Sequence, residues 1–237
     1  MATWLKKLPF LNRKRYIVLK AYTRNSAYLD NVPIKIGSKE CPVKNKNDFD
    51  RGNTASFATC YGRLEGLNRS ATVEMPTDLY MSCSAKGEDL NIHDKYADKY
   101  SKDFSVSYDH VHDKNYVSKN LLVSKVVMPW MLQEETGINF VVARHIRNMS
   151  PMIIPTGVCN YKFQHALNVF NCIPKQTLSY DISMGDKLVS IYPLSEKKLV
   201  VESYYDPEKY SELRDRNLYQ PFWKGSTLKL LKRSNLA

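Results

Sequence analysis

The chain has 237 residues, 43% of them hydrophobic, and a formal net charge of +11. That length suits one large domain or two small ones, with enough apolar side chain for a buried core. Tyrosine at 16 against glycine at 9 speaks against a glycine-rich phosphate-binding fold, and no apolar run of about 18 residues is present to form a membrane-spanning helix.

The first fifteen residues, MATWLKKLPFLNRKR, mix Trp4, Leu5, Leu8, Phe10 and Leu11 with Lys6, Lys7, Arg13, Lys14 and Arg15. Pro9 interrupts any helix. The nearby apolar run YIVL is too short for the core of a signal peptide. Residues 223–237 repeat the charge bias with Lys224, Lys229, Lys232 and Arg233, and neither end holds an acid. Residues 1–20, which add Lys20, and 223–237 together hold ten of the 35 basic residues; the 25 that remain nearly balance the 24 acidic ones. The charge therefore belongs to two arms on a near-neutral body, not to a basic face across the fold.

YIVLKAY (Tyr16–Tyr22) is rich in β-formers and predicts the first strand. Turn-rich composition from Thr23 to Asn53 leaves room for one short strand around Val32–Ile36. TASFATCYG predicts another strand, and ATVEM and TDLYMSCSA predict two more, broken at Pro76. Residues 86–102 are polar and predict a surface excursion; DFSVSYDHV then alternates Phe104, Val106, Tyr108, His110 and His112 on one face. LLVSKVVMPWML is dense enough to be buried, as helix or as strand. GINFVVARHI predicts a strand, and Pro151 and Pro155 exclude a long helix through PMIIPTGV.

NYKFQHALNVFNCIPK (Asn160–Lys175) fits two periods. As a strand it places Tyr161, Phe163, His165, Leu167 and Val169 on one face; as a helix, Phe163, Ala166, Leu167 and Phe170. Its flanking Gly157 and Pro174 favour the strand. Leu178, Tyr180 and Ile182 alternate next, MGD predicts a turn, and KLVSIYPL and KKLVVESYY predict strands joined across SEK. In YYDPEKYSELRDRN, Asp206 can cap a helix, Pro207 suits its first position, Glu208 complements the helix dipole, and Glu212 and Arg216 stand i,i+4. That helix is expected to end near Asn217, followed by a basic tail.

Chemistry-bearing patterns are few. DHVHD puts His110 and His112 on one strand face, where His165 from a neighbouring strand would complete a cupin-like metal site. The following HDKNYVSKN lacks the Glu and Gly that such a motif expects, so the metal trio stands as an alternative only. Glu134 and Glu135 in QEET are adjacent and read as a solvated turn. Five cysteines without a C-x-x-C predict reduced, mostly buried thiols. No phosphate loop, dinucleotide fingerprint or nucleophile elbow is present. Trp4, Lys6, Lys7, Arg13, Lys14 and Arg15, with Lys229, Lys232 and Arg233, are the candidates for binding a partner protein or nucleic acid.

The run PTGVCNYKFQHALNVFNCIPK, followed by YDISMGDKLVSIYPLSEKKLVVESYYDPEKYSELRDR, resembles the C-terminal half of a family encoded by tailed bacteriophages, marine cyanophages above all. The matching segments are Tyr161–His165, Ile182–Leu188 and Ile191–Lys198, within residues 125–217. The resemblance implies a phage origin and carries no activity or functional residue.

The expected fold is mainly β, an antiparallel sandwich or jelly-roll-like domain with a C-terminal helix and basic arms. Its expected organisation is an arm (1–15), a β-rich domain (16–204), read as one unit or as halves of about 16–115 and 121–204, and a helix with a basic tail (205–237). The expected role is that of a virion-associated structural or accessory protein, not an enzyme and without a cofactor. It would reside in the host cytoplasm before assembly and in the virion after it, with other phage structural proteins, packaged DNA or further copies of itself as partners. The alternatives are a non-virion phage protein binding nucleic acid or a host factor, and the metalloenzyme.

Overall fold

A computed structural model describes residues 16–36, 66, 68–83, 90–94, 105–107, 121–146, 148, 150, 152–174 and 178–219. In chain order the elements are β1 (Tyr16–Thr23), α1 (Ala27–Asn31), β2 (Lys35–Ile36), β3 (Ala71–Glu74), β4 (Leu79–Cys83), β5 (Leu90–Asp94), β6 (Ser105–Ser107) and β7 (Leu121–Gln133). There follow β8 (Asn139–Arg144), β9 (Gly157–Asn160), β10 (Ala166–Pro174), β11 (Leu178–Ile182), β12 (Lys187–Pro193), β13 (Lys198–Tyr205) and α2 (Pro207–Tyr219). The fold is mainly β with a C-terminal helix.

Three sheets form. The first runs β10–β7–β1–β13, with β6 also on β7; the second runs β2–β3–β12–β8–β9; the third runs β11–β4–β5. Each of these sheets takes strands from both parts of the chain, so among the described residues neither 16–115 nor 121–204 builds a sheet alone. One cluster of buried side chains joins them: Leu19, Trp130 and Leu199 from the first sheet, Val73, Phe140 and Ile191 from the second, Met81 and Ile182 from the third.

Alternation explains the strands that read clearly. In β1, Ile17, Leu19 and Ala21 point to the core while Tyr16, Val18 and Lys20 lie on the other face. In β7, Val126, Met128, Trp130 and Leu132 supply the core face. Pro129 has no N–H for the ladder, and here the pairing with β10 jumps from Ala166↔Met131 to Asn168↔Val127. Two steps along β10 thus match four along β7, a bulge at the proline. The ambiguous LLVSKVVMPWML is therefore a strand. β12 breaks alternation, since Leu188, Val189, Ser190 and Ile191 are all buried; a central strand covered on both faces reads as a continuous run.

The corner between the second and third sheets is built by two facing bends. β3 pairs with β12, and their continuations β4 and β11 pair in turn. Pro76 lies in one bend and Gly185, at φ 90°, in the other. Met75 N donates to the Asp186 carbonyl at 2.8 Å and Gly185 N to the Met75 carbonyl at 2.9 Å. Asp78 Oδ1 accepts from Met184 N at 2.7 Å, and Asp186 Oδ2 from Ser183 N at 2.8 Å.

Several expectations are corrected. Tyr161–His165 is a turn, with Phe163 N and Gln164 N both donating to the Asn160 carbonyl, so the strand begins only at Ala166. Tyr161 and His165 are nevertheless buried, each placed by the turn rather than by strand alternation. The polar stretch 86–102 contains β5, which pairs with β4 along its length. β12 and β13 are strands joined across SEK as expected, but they lie in different sheets, and β13 pairs parallel to β1 from Tyr16↔Lys198 to Thr23↔Tyr205. The TASFATCYG strand falls outside the described residues.

Candidate functional site

Of the three histidines of the metal trio, His165 is the one whose surroundings are described. Its ring Nδ1 lies 3.0 Å from the Leu132 carbonyl, its main-chain N donates to Asn217 Oδ1 at 2.9 Å, and its carbonyl accepts from Leu132 N at 2.7 Å. The residue thus joins β7, β10 and α2. Burial holds its pKa below the ordinary histidine value, with Leu132's carbonyl opposing and Arg216 adding to the depression. His110 and His112, the other two members of the metal trio, lie outside the described residues. No group of three or more His, Cys, Asp or Glu suited to a metal ion occurs among the described residues.

Glu134 is corrected from the solvated turn: it is 2% exposed. Its Oε1 accepts from Thr136 N at 2.8 Å and from the Thr136 hydroxyl, and its Oε2 from Gly137 N at 2.7 Å and Ile138 N at 3.2 Å. The carboxylate thereby organises the turn from β7 into β8, in which Gly137 takes φ 84°. The adjacent Glu135 is exposed as expected and pairs with Lys20 at 2.8 Å. Cys159 and Cys172 are free, half-buried thiols, both pushed above the ordinary thiol range by burial.

The outer face of the first sheet is the most distinctive surface. The parallel register of β1 and β13 sets Tyr16, Val18, Lys20 and Tyr22 beside Lys198, Val200, Glu202 and Tyr204. The rings of Tyr22 and Tyr204 stack with centroids 5.5 Å apart, and the Tyr204 hydroxyl donates to Glu202 at 2.6 Å. Burial raises both phenol pKa values, and the hydrogen bond to Glu202 raises that of Tyr204 further. The bond to Glu135 raises Lys20 against a smaller effect of burial. All three side chains keep their protons near neutral pH, which suits a contact surface better than proton transfer.

One end of this face is covered by α2. Asp206 starts the helix as the sequence predicts, its Oδ1 accepting from Lys209 N at 2.8 Å. Tyr210 and Leu213 then pack over Tyr22 and Met131, with Ala166 beside them, and the Arg24 guanidinium lies 5.5 Å from the centre of the Tyr210 ring. The pairing of Glu212 with Arg216 is present. Towards Tyr16 the face is half-buried to exposed, and Tyr204 and Tyr205 are exposed at 40% and 55%.

The arm residues Trp4, Lys6, Lys7, Arg13, Lys14, Arg15, Lys229, Lys232 and Arg233 lie outside the described residues, but the points where the arms join the fold are defined. β1 spans eight residues, or about 26 Å. Its far end meets α2, where Asp206 N donates to the Thr23 carbonyl at 3.0 Å. The N-terminal arm joins at Tyr16, the opposite end of the same strand. α2 crosses from β1 to β10, so the C-terminal tail follows Tyr219 from the β10 side, near His165. Sequence reasoning missed the tyrosine stack. Tyr22 and Tyr204 are far apart in the chain, and the only local signal was alternation in YIVLKAY and LVVESYY.

Compared with known proteins, the chain matches no family model and no curated protein. No helix among the described residues is long and apolar enough to cross a membrane.

Proposed function

We propose that the chain is a virion-associated structural or accessory protein of a tailed bacteriophage. It docks onto other particle proteins through its basic, apolar arms and the outer face of its first sheet. The observation that carries this reading is the separation of the arm roots on one sheet: the N-terminal arm leaves the free end of β1 at Tyr16, and the C-terminal tail leaves α2 near His165, on the β10 side. Arms separated in this way can engage two neighbours at once, and avidity from two weak contacts exceeds either alone. The stacked tyrosines and paired charges between them supply a mixed aromatic and polar surface of the kind found at protein interfaces. The phage assignment itself rests on the resemblance over residues 125–217.

As to architecture, the two five-stranded sheets sharing one core support a sandwich. The parallel pairing of β1 with β13 favours this over a jelly roll, whose neighbouring strands run antiparallel.

The test is quantitative mass spectrometry of gradient-purified particles from the phage that encodes the chain. A fixed copy number that survives high-salt washing supports the reading. Abundance in infected cells with absence from particles overturns it. In that case salt-sensitive binding to nucleic acid, lost when residues 1–15 are deleted, would mark the non-virion alternative.

A further inference from the structure

His165 lies at the seam between the first sheet and α2, only 3% exposed. Its surroundings divide between the two. From the sheet side, β7 and the turn before β10 face the ring with the carbonyls of Leu132 and Tyr161, both of which favour a proton on it. From the helix side come Arg216 and Lys209, whose charges oppose that proton, and Asn217, which accepts from the His165 main-chain N. Glu212 stands between the two helix cations and pairs with both.

We propose that α2 is a latch on the first sheet, released when His165 takes up a proton. The two carbonyls that welcome the proton stay with the sheet when the helix leaves; on the helix, Glu212 also favours it but is paired with both cations that oppose it, so the helix groups facing the ring are net positive. The two cations that resist it leave with the helix, as does the cover on that side of the seam. Protonation therefore favours the undocked arrangement specifically. The apolar hold to be overcome is confined to the seam: Tyr210 and Leu213 meet Tyr22, Met131 and Ala166 in a cluster separate from the main core. Undocking α2 leaves the main core intact, uncovers Tyr22 and Met131, and carries away the chain beyond Tyr219. This inference does not depend on the proposed phage role.

The direction of the pH response follows from the depressed ring. Docking has its full strength above the ordinary histidine pKa, about 6.5. It weakens as pH falls from there through the lower value of the docked state, by at most about tenfold per pH unit for one proton.

The experiment is hydrogen-exchange mass spectrometry of the full chain at about pH 7.5 and 5, corrected for intrinsic exchange. The expected result is a loss of protection, of up to about thirtyfold, in peptides covering 208–219 on acidification, with β12 amides unchanged. His165→Gln is expected to abolish that difference. The double variant Lys209→Gln, Arg216→Gln, altered only on the helix, is expected to shrink it, because removing the opposing charges brings the docked ring closer to its free pKa. The inference is overturned if α2 and β12 lose protection together. It is equally overturned if the helix response persists in His165→Gln, or if it is unchanged in the double variant.

Discussion

Replacing Glu134 by glutamine changes one oxygen to an amide and removes one charge, yet it strikes the turn that joins β7 to β8. The carboxylate accepts from Thr136 N, the Thr136 hydroxyl, Gly137 N and Ile138 N. The four donors are shared between two oxygens. Glutamine keeps one acceptor and presents an NH2 group to the other pair of donors, leaving two charge-assisted bonds unmade. Hydrogen bonds to a charged group contribute about 1.5–3 kcal/mol each, and adjacent losses are not fully additive. The expected loss is about 3 kcal/mol. For a protein of this size each kcal/mol moves Tm by about 2–4 °C, so the expected drop is about 6–12 °C by calorimetry or thermal circular dichroism. Glu135→Gln is the control. Its pair with Lys20 is largely exposed and worth about 0.5 kcal/mol, so its Tm is expected to stay within about 2 °C. A Glu134→Gln protein melting within about 2 °C of the parent would refute the claim that this carboxylate organises the turn.

Three further substitutions probe other parts of the argument. Thr72 and Ser190 face each other across β3 and β12, are fully buried, and their hydroxyls have no hydrogen-bond partner. Thr72→Val is therefore expected to raise stability by about 1 kcal/mol in urea unfolding, and a loss of that size would mean the hydroxyl is satisfied after all. Asp206→Ala removes the cap of α2 and is expected to cost about 1 kcal/mol, with protection lost first in the helix. Leu213→Ala empties a fully buried position between α2 and the sheet, at an expected cost of about 2–3 kcal/mol to helix docking. If the main core is independent of the seam, β12 exchange in this variant stays close to that of the parent.

What the sequence determined by itself is the local structure whose cause is local. Tyr16–Thr23 alternates and is a strand; Pro76 separates two strands because it cannot give a hydrogen bond to a ladder; Asp206 and Pro207 start a helix because one caps and the other is preset for the first turn. The Met184–Asp186 turn follows from Gly185, which alone there takes a positive φ without strain. Tertiary structure decided what depends on partners far along the chain. The parallel pairing of β1 with β13, which stacks Tyr22 on Tyr204, joins segments nearly the whole domain apart, and no local period encodes it. His165 fitted a strand face by periodicity, yet its burial comes from a turn and from a helix about 50 residues later, since a carbonyl of β7 and a side chain of α2 compete successfully for its polar groups. Glu134 and Glu135 look alike in sequence. One is drawn inward because the turn's unpaired N–H groups need an acceptor, and the other remains in water because Lys20 meets it at the surface.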